Sequence, residues 1–393
     1  MTDTTDILSI KNVYKVFGKD PDTAMQMLNN GADKDEIFDK TGQTVGVFDA
    51  SFSVKKGEIF VIMGLSGSGK STMVRLLNRL IEPTAGTITL NGRDITSLGD
   101  ADLLDVRRKE MSMVFQSFAL MPHMSVLENA AFGLEISGID SKERHRRAQE
   151  ALEQVGLGEH GSSYPHQLSG GMQQRVGLAR ALTNDPTILL MDEAFSALDP
   201  LIRYEMQGEL IRLQKEQERT VIFISHDLDE AIRIGDRIAI MEGGRVVQIG
   251  TPEEIMRNPA DEYVETFFKG VDVSKILKAG DVACPENGCT IRINGTVQPF
   301  ESSDNHQFGY LIDDADKLQG IVPLARVDSA STSVESLLAL QVEQHATVYS
   351  DAPLRDVIKQ VADVAYPVPV IDRSGAFCGT ISKDRLLQTL SHN

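Results

Sequence analysis

The stretch Gly64–Thr72, reading GLSGSGKST, decides the fold. It follows an apolar run, Ile59–Met63, that reads as a buried strand, and it leads into Met73–Leu80, whose apolar residues have helical spacing. Strand, glycine-rich turn and helix form the context in which G-x-x-x-x-G-K-[ST] is a phosphate site. Gly64, Gly67 and Gly69 admit backbone conformations closed to other residues, so successive N–H groups can point at an anion. The following helix N-terminus adds partial positive charge. Lys70 supplies a compact cation for β- and γ-phosphates, and the Ser71 hydroxyl can ligate Mg²⁺. Gly64, Leu65, Ser66, Gly67, Ser68, Gly69, Lys70, Ser71 and Thr72 together make the candidate nucleotide cradle.

The 393 residues allow two or three domains, and an apolar fraction of 41% suffices for real cores. A formal net charge of −18 argues against a nucleic-acid partner, because neutralising phosphates needs a basic surface. No apolar run is long enough to span a bilayer, and Met1–Asp6 is polar, unlike a signal peptide. If a membrane is involved, another chain spans it. Three cysteines do not make a disulfide framework: Cys284 and Cys289 lack metal-ligand company, and Cys378, in a strand-like run, reads as a small core residue. A reducing, cytoplasmic setting fits.

Ile7–Phe17 alternates loosely and reads as an edge strand; Tyr14 or Phe17 near its end could stack on a nucleobase or pack beneath a sheet. Residues 20–43 interrupt the strand pattern with two helical stretches, Thr23–Asn29 and Lys34–Phe38. The strand Met111–Phe115 delivers Gln116, which either reaches Mg²⁺ or an attacking water or simply ends the strand. Leu168–Arg175, LSGGMQQR, opens a helix whose Ser-Gly-Gly N-terminus is a second anion site. A second cradle makes sense if it serves a nucleotide held by another copy of the chain. Thr187–Met191 is an apolar strand ending in Asp192-Glu193, placed for a Mg²⁺ shell and a general base, or for a helix N-cap. Val221–Ile224, read as parallel to it, ends in Ser225-His226-Asp227, where a γ-phosphate contact is the better reading of His226.

In this order, GLSGSGKST, Gln116, LSGGMQQR, ILLMDE, SALD (Ser196–Asp199) and His226 resemble the ATPase subunit of an ABC transporter over residues 7 to about 270. That implies an α/β P-loop NTPase cassette: a RecA-like core, an antiparallel β subdomain and a helical subdomain at about 117–180. It implies ATP and Mg²⁺ as cofactors, and a head-to-tail homodimer holding each ATP between Gly64–Thr72 of one copy and Ser169, Gly170 and Gly171 of the other. The family's roles fall on Phe17 (adenine stacking), Lys70 (phosphates), Ser71, Gln116 and Asp192 (metal), Glu193 (base), His226 (γ-phosphate) and Asp199 (across the dimer). The 20–43 insertion, NRLIEPTAG, FQSFALMPHMSV and MDEAFSALDPLIR are similar to the ATPases of bacterial glycine betaine/proline betaine importers. This implies a permease at the inner membrane, with Phe118, Leu120 and Met121 near its coupling helix, a soluble substrate-binding protein, and a peripheral place on the cytoplasmic face.

From residue 271 the pattern changes. Tyr310–Asp313 … Gly320–Val322 repeats as Val370–Asp372 … Gly379–Ile381, with Asp to Gly seven residues apart in each copy. Residues 271–393 resemble a tandem pair of α/β CBS domains, the first degenerate. Ser382 and Asp384 stand two apart where ligand-binding pairs have three, and the first copy has Pro323 and no acid. The resemblance leaves dimer contacts or a restraint on ATPase activity, relieved by ionic strength or a nucleotide. A soluble ABC ATPase acting on ribosomes or DNA is the rival, against the single cassette and negative charge. A sensor without turnover is disfavoured by Glu193 and His226.

Overall fold

A run with apolar side chains on both faces is stable only where both faces are covered. In the computed structural model all of Ile59–Met63 is buried. The structure describes residues 6–116, 119–285, 289–293, 307–327, 333–342 and 345–391, in two compact units, Met1–Phe268 and Lys269–Asn393. The strands of the first unit are β1 (Asp6–Phe17), β2 (Thr44–Lys55), β3 (Ile59–Met63), β4 (Ala85–Leu90), β5 (Arg93–Asp94), β6 (Met111–Val114), β7 (Ile188–Asp192), β8 (Thr220–Ser225), β9 (Arg237–Glu242) and β10 (Arg245–Gly250). They form an antiparallel sheet β2-β1-β4-β5 and a larger sheet β10-β9-β3-β8-β7-β6. In the larger sheet β3 pairs parallel with β8 and β9, and β7 parallel with β6 and β8.

β1 is not an edge strand. It pairs with β2 on one side and β4 on the other, burying Leu8, Ile10 and Val13. Register shifts between Ile10 and Val13 and between Val13 and Lys15 break the period of two. That drift gives the sequence the loose alternation of an edge.

The insertion is a pair of capped helices, α1 (Pro21–Asn29) and α2 (Lys34–Thr41). Asp20 and Asp33 accept backbone N–H groups at their N-termini. Ala24, Leu28 and Ile37 bury against Val16 and Val45 of the β1–β2 hairpin. The remaining helices of this unit are α3 (Lys70–Leu77), α4 (Asp100–Lys109), α5 (Val126–Ile136), α6 (Ser141–Gln154), α7 (Gly170–Leu182), α8 (Pro200–Gln217), α9 (Leu228–Ile234), α10 (Pro252–Arg257) and α11 (Glu262–Phe268). The basic stretch on α6 is a solvated face, with Arg146 and Arg147 paired to Glu143 and Glu150.

The second unit contains α12 (Ala279–Val282), β11 (Cys289–Arg292), β12 (Phe308–Ile312), β13 (Leu318–Pro323), α13 (Val334–Ala339), β14 (Val348–Tyr349), α14 (Leu354–Asp363), β15 (Val368–Ile371), β16 (Phe377–Ile381) and α15 (Lys383–Ser391). Sheets β11-β12-β13 and β14-β15-β16 each combine one parallel and one antiparallel pairing. The repeated aspartates explain themselves: Asp313 Oδ1 accepts from Ala315 N and Lys317 N, and Asp372 Oδ1 from Ser374 N and Ala376 N. Each closes a hairpin turn, and the Lys317 N–H on Asp313 and the Ser374 hydroxyl with the Ala376 N–H on Asp372 hold both carboxyls below the usual range. Cys378 is exposed, not a core residue. It is the extra residue where the β15–β16 register slips between Val370 and Ile371, so it leaves the buried face. No helix among the described residues is long and apolar enough to cross a membrane.

Candidate nucleotide site

The cradle stands on the central strand. β3 ends at Met63, and Gly64, Gly67 and Gly69 take φ of +151°, +79° and +100° before α3 begins at Lys70. A Cβ at Gly64 would lie 2.1 Å from the Met241 carbonyl oxygen, and one at Gly69 2.5 Å from that of Gly46. Only glycine fits those two positions. A Cβ at Gly67 would meet nothing within 4 Å, so that part of the loop is open. The loop is fixed from behind, with Gly244 N donating to Ser68 O at 3.0 Å. Ser68 Oγ is buried without a hydrogen-bond partner among the described residues.

Lys70 is buried and donates to the carbonyls of Gly64 at 2.8 Å and Leu65 at 2.9 Å. Burial pulls its pKa below the ordinary value, and the negative charges of Glu193 and Asp192 oppose that shift. Ser71 Oγ donates to Asp192 Oδ1 at 3.0 Å. Burial pushes the Asp192 carboxyl above its ordinary 3.8, against the Ser71 hydrogen bond. A raised carboxyl favours the folded state below its unfolded pKa, and that advantage is lost as pH rises through the folded value. Asp192→Asn is therefore expected to melt higher than the parent at pH 7, with the gap closing as pH falls toward 3.8. Thermal melts across pH check this; a lower melting temperature at pH 7 would contradict it.

β7 and β8 lie side by side with Asp192 opposite Ile224, so their ends bring Glu193 and His226 together. Glu193 Oε2 is 3.3 Å from His226 Nδ1. Glu193 sits at φ +48°, a conformation costly for a residue with a side chain and common at functional positions. It therefore does not act as the helix N-cap that its position after a strand also allowed. Gln116 Nε2 donates to Ser196 Oγ at 3.1 Å and stands 3.5 Å from Glu193 Oε2.

A cavity of about 680 Å³, within the size range of ligand sites, has Lys70, Ser71, Glu193 and His226 in its lining, whereas Ser68, Gln116 and Asp192 do not line it. Gly64–Gly67 and Gly69–Thr72 of the cradle line it together with Glu193, His226, Phe17 and Thr44–Gly46. Phe17 is 39% exposed. Tyr14 faces away, edge-on to Phe48 at 5.5 Å, among the residues packed against α1 and α2.

Ser169, Gly170, Gly171 and Asp199 do not line this cavity. Ser169 Oγ caps α7 by accepting from Met172 N, and Asp199 caps α8 by accepting from Leu201 N and Ile202 N. A Cβ on Gly171 would come 2.5 Å from Ile202 Cγ2, so the two capped turns are packed together. A second cavity of about 530 Å³ has Leu80, Phe115, Ala119, Met121, Ile136 and Arg180 in its lining. Leu120 does not line it, and Phe118 lies outside the described residues. The loop is pinned by buried Asn129, which accepts from Met121 N and donates to Met121 O and Met124 O.

Sequence reasoning missed Glu230. With Asp227 at the N-cap of α9, D-x-x-E reads as a capping box. In the structure Ser225 Oγ takes the Asp227 N–H at 2.9 Å and donates to Glu230 Oε2 at 2.5 Å. Gln207 Nε2 of α8 donates to Glu230 Oε1 at 3.0 Å. The turn carrying His226 is thus tied to α8, the helix that Asp199 caps.

The sequence pattern of the ABC transporter family matches residues 47–196, and that of the CBS domain matches residues 341–392. The glycine betaine/proline betaine transport system ATP-binding protein ProV of Escherichia coli (strain K12) is 52% identical over 388 residues, covering 98% of this chain and 97% of that protein. The glycine betaine transport ATP-binding protein OpuAA of Bacillus subtilis (strain 168) is 50% identical, covering 98% and 93%. Among solved structures, the dimeric structure of MJ0796, a bacterial ABC transporter cassette, superposes with a TM-score of 0.52 at 33% identity, covering 62% of this chain and 98% of that one. The chain belongs to the ABC transporter family, in the group that contains the ATP-binding proteins of glycine betaine/proline betaine transport systems.

Proposed function

We propose that this chain is the ATP-hydrolysing subunit of an importer for glycine betaine/proline betaine-type osmoprotectants. On this reading it works as a homodimer on a partner permease, peripheral to the cytoplasmic face of the bacterial inner membrane. A soluble substrate-binding protein delivers the osmolyte to that permease. The observation that carries it is the meeting of Lys70, Glu193, His226 and Phe17 around one cavity while Ser169–Gly171 lie outside it. A helix N-terminus suited to an anion, away from its own chain's nucleotide, suits a nucleotide on a second copy. The relatives named above support the transport role by their near-complete coverage.

In this reading Phe17 stacks on adenine and Lys70 holds β- and γ-phosphate oxygens. The hard oxygen donors of Ser71, Asp192 and the Gln116 amide suit Mg²⁺. Mg²⁺ bound there would neutralise phosphate charge. Glu193 accepts a proton from water as its oxygen bonds to the γ-phosphorus and the bond to the bridging oxygen breaks, giving ADP and phosphate. His226, beside Glu193, orients the γ-phosphate. The groove lined by Ala119 and Met121 takes the permease. The domains read from the sequence as 1–270 and 271–393 divide the labour, the cassette doing chemistry and the tail restraining it.

Co-expression with a quaternary-amine permease from the same organism tests the transport reading. The chain is expected to co-purify with that permease in detergent and to drive ATP-dependent glycine betaine uptake in proteoliposomes. Turnover without any association with the permease would favour a soluble ABC ATPase.

A further inference from the structure

The 20–43 insertion has no chemistry in its composition, yet it occupies the connection between the two strands that carry the base end of the cavity. Phe17 and Thr44 are partners across the β1–β2 hairpin, and α1 and α2 are what joins them. We propose that this helix pair is the mount of the Phe17 ring, with Gln43 its positioning residue and preference for the nucleobase the property it sets. The inference rests on the reading of Phe17 as the stacking residue.

Gln43 fills the space beside Gly18, the residue that follows Phe17. Gly18, next to Phe17, has φ +147°, and a Cβ there would lie 2.6 Å from Gln43 Cγ and 2.9 Å from Gln43 Oε1. The glutamine is 4% exposed, and its Oε1 makes no hydrogen bond among the described residues. An unpaired buried carbonyl oxygen is unfavourable, so packing and not hydrogen bonding keeps the side chain there. Its backbone is held by the end of α2. Gly42 takes a left-handed φ of +70° and donates to Phe38 O at 2.7 Å, and Thr41 Oγ1 accepts from Gln43 N at 3.2 Å while donating to Ile37 O.

The helices cannot shift easily, because Ala24, Leu28 and Ile37 share one apolar cluster with Val16 and Val45, the neighbours of the base wall. The ring also has a seat. A Cβ at Gly46 would come 2.6 Å from Phe17 Cε2, so the ring lies directly on that backbone. Phe17 is therefore fixed from below by Gly46 and through its neighbour Gly18 by Gln43, while the Lys15 ammonium stands over the ring at 5.2 Å and the ring still lines the cavity. Removing the Gln43 side chain lets the ring turn off the line on which a base can stack, without touching the phosphate cradle.

The test compares two ligands of the purified full-length chain by calorimetric titration in Mg²⁺ buffer: ATP, and inorganic tripolyphosphate, which has no base. For Gln43→Ala, the Kd for ATP is expected to rise about fivefold while that for tripolyphosphate stays within about twofold, a share of the affinity of one base–aromatic stack. Gly18→Ala, which drives a methyl into Gln43, should do the same, and Gln43→Met, which fills the space without the amide, should restore the preference for ATP. Phe17→Ala should bring the two affinities close together. The proposal is overturned if Phe17→Ala loses the preference while Gln43→Ala and Gly18→Ala keep it. Equal weakening of tripolyphosphate in Gln43→Ala would also overturn it, since the damage would then run through the cradle. If Phe17→Ala keeps the preference, the stacking reading falls, and this inference with it.

Discussion

Glu193→Gln is expected to reduce kcat for ATP hydrolysis by roughly 10²–10³-fold with the KM for ATP nearly unchanged, because a positioned general base contributes about 10²–10⁴-fold. The carboxylate stands 3.3 Å from His226 Nδ1 at the end of a buried strand. The amide has the same shape and keeps an oxygen toward the histidine but cannot accept the proton of water. Nucleotide binding relies on other groups, so it should persist. The variant then makes a second measurement possible. Saturated with ATP, it should sediment as a dimer, because in the proposed homodimer the cradle of one copy and the Ser169–Gly171 turn of the other close on a nucleotide that is not consumed. Full turnover in Glu193→Gln would remove the residue from the chemistry. A monomer under saturating ATP would remove the dimer from the account.

Lys70→Met carries the second large effect, on binding. The ammonium is held within the loop by two carbonyls, and phosphate oxygens are better partners for it than neutral carbonyls. A hydrogen bond involving a charged group is worth about 1.5–3 kcal/mol, and two of them correspond to roughly 10²–10⁴-fold in ATP affinity. Methionine matches the length of the lysine stem, and burial disfavours the ammonium in the folded chain. The melting temperature without nucleotide should therefore stay within about 4 °C of the parent, the shift that about 1 kcal/mol gives in a unit of this size. Calorimetric titration with ATP and a thermal melt separate the two effects. Binding within about threefold of the parent would contradict the assignment, since it leaves less than about 0.7 kcal/mol for the cation.

The cradle was legible because its parts are consecutive. Gly64, Gly67, Gly69, Lys70 and Ser71 lie on one strand-turn-helix, and the backbone angles that make them a cradle are local properties of glycine. The helix caps at Ser169 and Asp199 and the aspartates that close the tail hairpins are likewise short-range. Where the sequence misled, a non-local pairing intervened. β1 has two partners although its pattern resembles an edge, and Cys378 leaves the core through a slip in register that no single residue announces. Glu230 looks like half of a capping box and is instead the buried acceptor for Ser225 and Gln207.

Sequence alone determined the order of elements, the phosphate cradle and the family resemblance, since each depends on residues a few positions apart and on side-chain chemistry that survives any packing. Only the tertiary structure decided that Tyr14 packs against Phe48 under the inserted helices, that Glu193 and His226 touch, and that Gln43 fills the place beside Gly18. Those are contacts between segments far apart in the chain, and they follow from strand order and register, which are settled by the packing of the whole sheet.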